Sequence, residues 1–444
     1  MDTRGEELLV QVSRALRALP RTWRISVAYS GGPDSSVLLE ALARLRNGPG
    51  PAWPMLRALH VDHGLQAQSQ SWARHCASCC RSRGVEFKVL KVLLPAQASQ
   101  SLEDAARKAR YEALGGCLEE GEILCTAQHA NDQAETLLLQ LLRGAGPRGL
   151  AAMPAIREFH AGYLARPMLL LDQDLILDCA RNWKLSVIED PANQDPRFAR
   201  TRARALLLNQ ILEQFPGALK TLNRSARLQA AASDAIDTLA TLDTDQCRGP
   251  MPGTLAASAL AGLPQTRRLE VLRCWLRERQ QPIPNEARLR EVSRQMTTAG
   301  PDRQPAIRWA GGEVRRYRDL IHALKPVAAP ESGYQRHWHL EEELQLPWGR
   351  LWSEPATGRG LSLELSEVDV SLRQGGEHCQ PAGCSHRRSL KQLFQERGVA
   401  PWQRARTPLI HVAGRLVAVA GLCICEGCQA RPGEPGRLIH WRAC

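Results

Sequence analysis

Four times within the first 150 residues a short apolar run gives way to an amphipathic helical pattern, and this alternation constrains the chain more than any other feature. Ile25 to Tyr29, Met55 to Val61, Val85 to Leu94 and Ile123 to Ala127 read as strands. Helical patterns begin at Val37 and cover 69–83, 101–114 and 132–142; Ser101 with Asp104 three residues on is close to a capping box. A further amphipathic helix at 1–20 carries Leu8, Leu9, Val12, Leu16 and Leu19 on one face. Strands separated by helices must be joined by crossovers, so the expected fold is α/β, a parallel sheet with helices on both faces. Ligands in such sheets sit at the carboxyl ends of the strands.

The first strand-to-helix turn is Ser30-Gly31-Gly32-Pro33-Asp34-Ser35-Ser36. Strand, glycine turn and helix leave backbone N–H groups facing an anion at the helix N-terminus. Gly31 and Gly32 allow close approach of a phosphate, and Ser35 or Ser36 can add hydroxyl donors. Asp34 would repel phosphate without a divalent cation between them, which makes it a candidate Mg²⁺ contact. A capped turn, with Gly for positive φ and Asp or Ser as cap, is the competing account. Asp62 and His63 follow the second strand, and His129, Asn131 and Asp132 the fourth. Singly these are ordinary: Asp132 suits a helix cap, His63 a turn. Their convergence on one predicted sheet edge favours a site. The glycine-rich Gly144 to Leu150 is either a mobile segment near the ligand or a helix-ending linker.

At 444 residues the chain should hold two to four domains. Residues 1–215 form the first. From Asn209 to Leu242 the pattern is helical, Gly249 to Gly253 reads as a break, and 254–325 should be helical at Arg267–Arg279 and Glu286–Met296. A helical domain over 216–325, a linker at Pro326 to Pro330 and a small α+β domain over 331–444 complete the division. That last domain shows strands at Leu361–Leu365 and Leu409–Cys425 and a helix near Leu390–Glu396.

Net charge is +12, and only seven of the 58 basic residues are Lys. Compositional bias explains that ratio but not the positive sum, which favours nucleic acid as partner before membrane. Basic residues outnumber acidic ones by seven to two over 195–227, by 13 to 6 over 267–318 and by eight to two over 373–415. Trp402 lies in the last stretch, suited to stacking on RNA or, more ordinarily, to a small core. Charges run through Met1 to Arg24, and the longest apolar run, Leu409 to Cys425, is interrupted by His411, Gly414 and Arg415. Neither a secretory signal nor a membrane span is expected, so the protein should be cytoplasmic with its 14 Cys reduced. Cys76, Cys79 and Cys80, or Cys423, Cys425 and Cys428, could offer thiolates to zinc or an iron–sulfur cluster, although neither group has a second pair at zinc spacing.

The ordered set resembles the tRNA(Ile)-lysidine synthetases of the PP-loop ATP pyrophosphatase group. Ser30 to Ser35 matches SGGxDS, and His60-Val61-Asp62-His63-Gly64-Leu65 is similar to HVDHGL. Glu103, Ala106-Arg107 and Arg110-Tyr111 resemble ExxAR…RY; His129 to Thr136 with Leu142-Arg143-Gly144 resembles HxxDDxxET…LRG; Glu189 to Arg204 resembles EDPSNxD…RxRxR. Arg387 to Lys391 and Pro401 to Arg404 look like the tRNA-contacting terminal domain of proteobacterial members. The chain departs from the pattern at Asn131, where a second Asp is usual, and at Thr201, where Asn is usual.

The resemblance implies a Rossmann-like PP-loop domain. It implies ATP-dependent joining of free L-lysine to the 2-position of the wobble cytidine in a CAU-anticodon isoleucine tRNA, through an adenylated base. ATP and Mg²⁺ are the implied cofactors, and a homodimer is a candidate assembly. Ser30, Gly31, Gly32, Pro33, Asp34 and Ser35 would hold pyrophosphate, with Asp34 and Asp132 on Mg²⁺ and Asp34, Asp62, His129 and Asp132 as the catalytic set. Arg107, Arg110, Arg202, Arg204, Arg387, Arg388, Lys391 and Arg404 would contact substrate. A PP-loop tRNA cytidine thiolase using a cysteine-bound cluster, and a non-catalytic tRNA-binding protein, are the alternative readings.

Overall fold

The computed structural model describes residues 2–48, 53–62, 68–92, 102–189, 202–204, 208–300, 303–325, 333–362 and 367–443. The readings placed on His63, Ser101, Asp190 to Thr201, the 326–330 linker and the end of the Leu361–Leu365 strand lie outside the described residues, as do the side chains of Glu103 and Asp104. Contacts divide the chain into two compact units, Met1–Thr238 and Leu239–Cys444.

In the first unit β1 (Arg24–Ala28), β2 (Met55–Asp62), β3 (Glu86–Lys91) and β4 (Ile123–Cys125) alternate with α2 (Pro33–Asn47), α3 (Ser69–Arg81), α4 (Leu102–Gly115) and α5 (Ala130–Leu142). Helix α1 (Thr3–Arg17) precedes them, its first turn capped by Asp2, which accepts from the N–H of Gly5 at 3.0 Å. The sheet runs β3-β2-β1-β4-β6-β5, with β1 parallel to both β2 and β4. Because β1 is central, its apolar residues are covered on both faces. Leu8, Val27, Val37, Leu38 and Ile176 fill one side, and Leu59, Leu114, Leu124 and Leu164 the other.

The sheet of parallel strands β1 to β4 continues at one edge into a hairpin. Residues β5 (Ile156–Phe159) and β6 (Gly162–Ala165) form a hairpin in which β6 runs parallel to β4 and β5 antiparallel to β6. Only Phe159 of β5 is buried, so this edge strand has no alternating apolar signature to read. Gly144 to Leu150 is not a bare loop either. Gly144 ends α5 at φ +68°, and α6 (Pro147–Leu150) follows as a single turn. After β6 the Arg166 N–H is tied back to the Ala155 carbonyl at 2.8 Å, and the next helix, α7 (Gln173–Asn182), begins only beyond it. Phe215-Pro216-Gly217 divides the next helical pattern into α8 (Asn209–Gln214) and α9 (Ala218–Gln246).

The second unit holds the expected helices at Gln265–Glu278 and Glu286–Thr298, packed on a sheet that helical periodicity does not reveal. Its strands β7 (Leu255–Ala256), β8 (Ala306–Trp309), β9 (Gly312–Tyr317) and β10 (Leu320–Leu324) lie in the order β7-β10-β9-β8, all antiparallel. Further along come β11 (Gln335–His339), β12 (Leu344–Leu346), β13 (Gly349–Thr357), β14 (Leu361–Ser362), β15 (Glu367–Ser371), β16 (His378–Cys379) and β17 (Arg388–Ser389). The helix Leu390–Glu396 follows, then β18 (Leu409–Val412), β19 (Arg415–Val419), β20 (Cys423–Ile424) and β21 (Pro435–Ala443). They build sheets β11-β15-β18-β19-β20 and β12-β13-β21-β14 and the pair β16-β17.

Trp402 packs edge-on to Tyr317 and His322, with ring centroids 6.4 and 5.2 Å away, inside this unit. Trp402 is half-buried and its ring partners belong to the 254–325 region, so it packs against that region's strands rather than in the terminal domain's own core. Cys379 and Cys425 stand with their sulfur atoms in contact. The β-bridge between Pro381 and Cys425 brings these distant segments side by side. Among the described residues no helix is long and apolar enough to cross a membrane.

Candidate active site

The neighbours of β1 are β2 on one side and β4 on the other, reached by connections that leave in opposite directions. In sheets of this kind a ligand sits at such a switch point, here beyond the carboxyl ends of β1 and β4. The Ser30–Ser35 turn lies at the end of β1, and His129, the residue preceding α5, lies beyond the end of β4.

Gly31 has two reasons to be glycine. Its φ is +84°, and an added Cβ would lie 2.5 Å from Ile188 Cδ1 and 2.9 Å from Cys76 Sγ. Its carbonyl accepts from the Ile188 N–H at 2.9 Å and from the Ser36 hydroxyl at 3.2 Å. Gly32 caps α2 with no side chain, and Pro33 occupies the first helical position without an N–H. The N–H groups of Asp34 and Ser35 thus begin the helix with no intrahelical acceptor. The Ser30 and Ser35 hydroxyls lie 3.0 Å apart, and Ser35 donates to the Gly32 carbonyl at 3.1 Å. Ser30 is exposed. Ser36, whose hydroxyl serves the turn, is buried and structural.

Asp34 extends from this first turn toward α5. Its Oδ2 is 3.9 Å from Nε2 of His129, which in turn is 3.6 Å from Oδ2 of Asp132. His129 is buried, and its Nδ1 has no hydrogen-bond partner among the described residues. Asp132 also accepts from the His129 backbone N–H at 3.1 Å, so it is both a helix cap and a site residue. Burial pushes the Asp34 carboxyl above its ordinary range, opposed by His129 and reinforced by the Asp132 charge. Its Oδ1 is shielded from solvent and accepts no hydrogen bond from the described residues. A shielded carboxylate oxygen without a donor, facing a second carboxylate across an imidazole, suits a divalent cation. Mg²⁺ commonly takes one or two carboxylates together with substrate phosphates and water.

Arg204 joins this cluster. Its Nε donates to Glu135, one turn beyond Asp132, and its Nη2 is 3.9 Å from Asp132 Oδ1. Glu135 is completely buried and is the residue that sequence reasoning passed over; its signal was the i, i+3 spacing from Asp132. Asp62 ends β2, next to β1, and so lies at the same edge. Asn131, the departure from the family pattern, accepts from the N–H of Gln173 at 3.2 Å and so caps α7.

Arg166, missed as a site residue, follows β6 at this edge. It is buried, donates to the Pro154 carbonyl at 2.6 Å, and leaves Nε unpartnered. Desolvation pulls its guanidinium below the ordinary range. Arg107 stacks over Tyr111 with 5.1 Å from guanidinium carbon to ring centroid, and Arg110 and Arg202 are exposed. A cavity of about 280 Å³ adjoins the start of α5, lined by Ala130, Asp172, Lys220, Asn223, Arg224 and Arg227 among others. Asn223 anchors it by donating to the Ala130 carbonyl at 3.1 Å. The spacing of 220, 224 and 227 on one helical face was the available signal.

The remaining predicted residues belong to the second unit. Arg387 and Lys391 are exposed, and Arg388 pairs with Glu396 at 2.7 Å. Arg404 donates to the Val399 carbonyl at 2.8 Å and to the Tyr317 hydroxyl at 2.9 Å. In the first cysteine group Cys76 and Cys80 are buried, and burial pushes both thiols up to about 12, away from thiolate chemistry.

Comparison with known proteins adds to this geometry. Residues 6–211 match a family model described as a PP-loop domain, 255–322 a TilS substrate binding domain, and 368–441 a TilS substrate C-terminal domain. The tRNA(Ile)-lysidine synthase of Methylococcus capsulatus is 38% identical over 421 residues, covering 94% of this chain and 95% of its own. That of Alkalilimnicola ehrlichii is 39% identical over 436 residues, covering 96% of each. A solved U34-tRNA thiolase from Methanococcus maripaludis covers 51% of this chain and 78% of its own at 17% identity, with a TM-score of 0.43.

Proposed function

Because the chain belongs to the tRNA(Ile)-lysidine synthase family, we propose that its switch-point site adenylates the wobble cytidine of a CAU-anticodon isoleucine tRNA and joins L-lysine to it. It is an ATP-using tRNA-modifying enzyme, and the finer assignment concerns which residues do what. The observation that carries it is Asp34, whose shielded, donor-less oxygen stands beside a glycine turn and opposite His129 and Asp132.

In the proposed reaction the cytidine 2-carbonyl oxygen attacks the α-phosphorus of ATP and pyrophosphate leaves. The ε-amine of lysine then displaces AMP from C2, releasing a proton. Such chemistry needs alignment and charge neutralisation more than an enzyme nucleophile. The Asp34 and Ser35 N–H groups, with the Ser30 and Ser35 hydroxyls, would hold the departing pyrophosphate. Asp34 and Asp132 would hold Mg²⁺, which supplies charge neutralisation for the phosphates when bound. Glu135 fixes Arg204 so that its charge sits beside Asp132. His129, buried between the two carboxylates, would orient them. Asp62 would orient the adenylated base or the lysine ammonium.

Lys220, Arg224 and Arg227 are proposed to receive the tRNA backbone beside that site, together with Arg107, Arg110 and Arg202. Arg387, Arg388, Lys391 and Arg404 of the terminal domain are assigned to tRNA contact. Domain limits of 1–215, 216–325 and 331–444 and a cytoplasmic location fit this role. The buried, protonated Cys76 and Cys80 favour it over a cluster-bearing thiolase.

Purified protein given ATP, Mg²⁺, radiolabelled lysine and CAU-anticodon isoleucine tRNA should yield labelled RNA and AMP. Label absent from that tRNA while sulfur enters it instead would replace this reading with the thiolase.

A further inference from the structure

Strands β11 and β15 pair antiparallel, with His337 opposite Asp369 and His339 opposite Glu367. Residues two apart on a strand share a face, and directly opposed residues share it too. Two imidazoles and two carboxylates therefore stand as a two-by-two block. Trp338, Val368 and Val370, between and beside them, turn the other way into the core. His337 Nδ1 is 3.3 Å from Asp369 Oδ1, and its Nε2 is 3.9 Å from Glu367 Oε2. One ligand atom each from His337, His339 and Glu367 lie within 4.8 Å of one another.

Two independent surface ion pairs would be the ordinary account, with little stabilising effect. They would not require His337 to meet both carboxylates, nor the rings of His337 and His339 to converge with centroids 5.1 Å apart. We propose that His337, His339 and Glu367 bind a divalent transition-metal ion, zinc foremost, with Asp369 as the positioning residue for His337. Zinc takes imidazole nitrogen and carboxylate oxygen at about 2.0–2.2 Å, so neighbouring ligand atoms lie roughly 3.4 Å apart. The exposed side chains need only a small inward adjustment to reach that spacing. Asp369 on Nδ1 leaves Nε2 of His337 as the coordinating atom, in the manner of a carboxylate–histidine–zinc arrangement. Across the next strand pair, Asp369 faces His411, whose Nδ1 is 3.3 Å from the Ser371 hydroxyl. Since β11 is the edge strand of its sheet, the ion would clip that edge to β15.

The full-length protein, stripped of metal and alkylated at accessible thiols so that Cys384 and Cys423 do not compete, is titrated with Zn²⁺ alone by calorimetry. One equivalent should bind at micromolar concentration or below. His337→Ala and His339→Ala should each weaken binding at least tenfold, and Asp369→Asn by roughly tenfold. Zinc should raise the melting temperature of the parent chain but not of the doubly substituted protein. That protein should fold normally, since both histidines are exposed. Undiminished zinc binding by the double variant, or binding only at millimolar zinc (an adventitious ion only), would overturn the proposal.

Discussion

The first unit carries buried charge at both ends of one sheet, and the two clusters are built differently. At the amino end Arg57 donates from Nε to Ser26 Oγ at 2.7 Å and Glu122 Oε1 at 2.9 Å, and from Nη2 to Glu122 Oε2 and the Cys117 carbonyl, both at 2.8 Å. Glu122 also accepts from the Glu119 N–H at 3.0 Å. At the carboxyl end Asp34 Oδ1 and His129 Nδ1 are shielded and have no partner among the described residues, and Asp34 and Asp132 repel each other across one imidazole. A closed cluster supports the fold, because burying charge is tolerable only when it is paired and hydrogen-bonded. An open one has a cost that a ligand can offset. The two clusters therefore differ in hydrogen-bond completeness, although Glu122 and Glu135 are equally buried.

The sharpest way to break that contrast is Glu122→Ala. It should destabilise the protein by about 3–5 kcal/mol, since it strands the Arg57 charge, while the remaining folded molecules keep their turnover. Chemical denaturation beside activity per folded molecule would check this. Asp34→Ala should do the reverse, lowering lysidine formation by roughly 10²–10³-fold with an unchanged or slightly raised melting temperature. A large loss of stability in this variant would put Asp34 with the closed cluster.

Glu135→Gln tests the boundary, since Glu135 is as buried as Glu122 but belongs to the carboxyl-end cluster. Loosening Arg204 should reduce kcat roughly tenfold, with substrate KM little changed, as for an outer partner of a reacting site. The smallest effect concerns pH. The folded-state pKa of Asp34 is raised, so the native chain holds its proton longer than the unfolded chain. Its ionisation is then a cost that is absent below the unfolded value near 3.8 and complete above the folded one. Without Mg²⁺, Asp34→Asn should melt slightly higher than the parent at neutral pH, and the gap should close as pH falls toward that lower value.

Local pattern was enough for much of the first unit. Short apolar strands, helical periodicity and a glycine turn depend on neighbours in the chain, so β1 to β4, the helices between them and the phosphate-type turn were readable in order. Once the alternation implied a parallel sheet, the convergence of Asp34, Asp62, His129 and Asp132 on its carboxyl edge followed from topology. What stayed hidden rests on short strands without an alternating pattern and on a few long-range pairings. The β5–β6 hairpin and the β8–β9–β10 meander close through tight turns between chain neighbours, whereas β6 against β4 and β10 against β7 join distant segments. The clasp of Glu135 on Arg204 spans 69 residues, and that of Arg57 on Glu122 spans 65. Residue type and order alone determined that this chain would carry a phosphate turn with acidic and imidazole companions. Only the tertiary structure decided which carboxylate is fully hydrogen-bonded and which keeps an oxygen without a donor, because that depends on the donors distant segments bring within hydrogen-bonding reach.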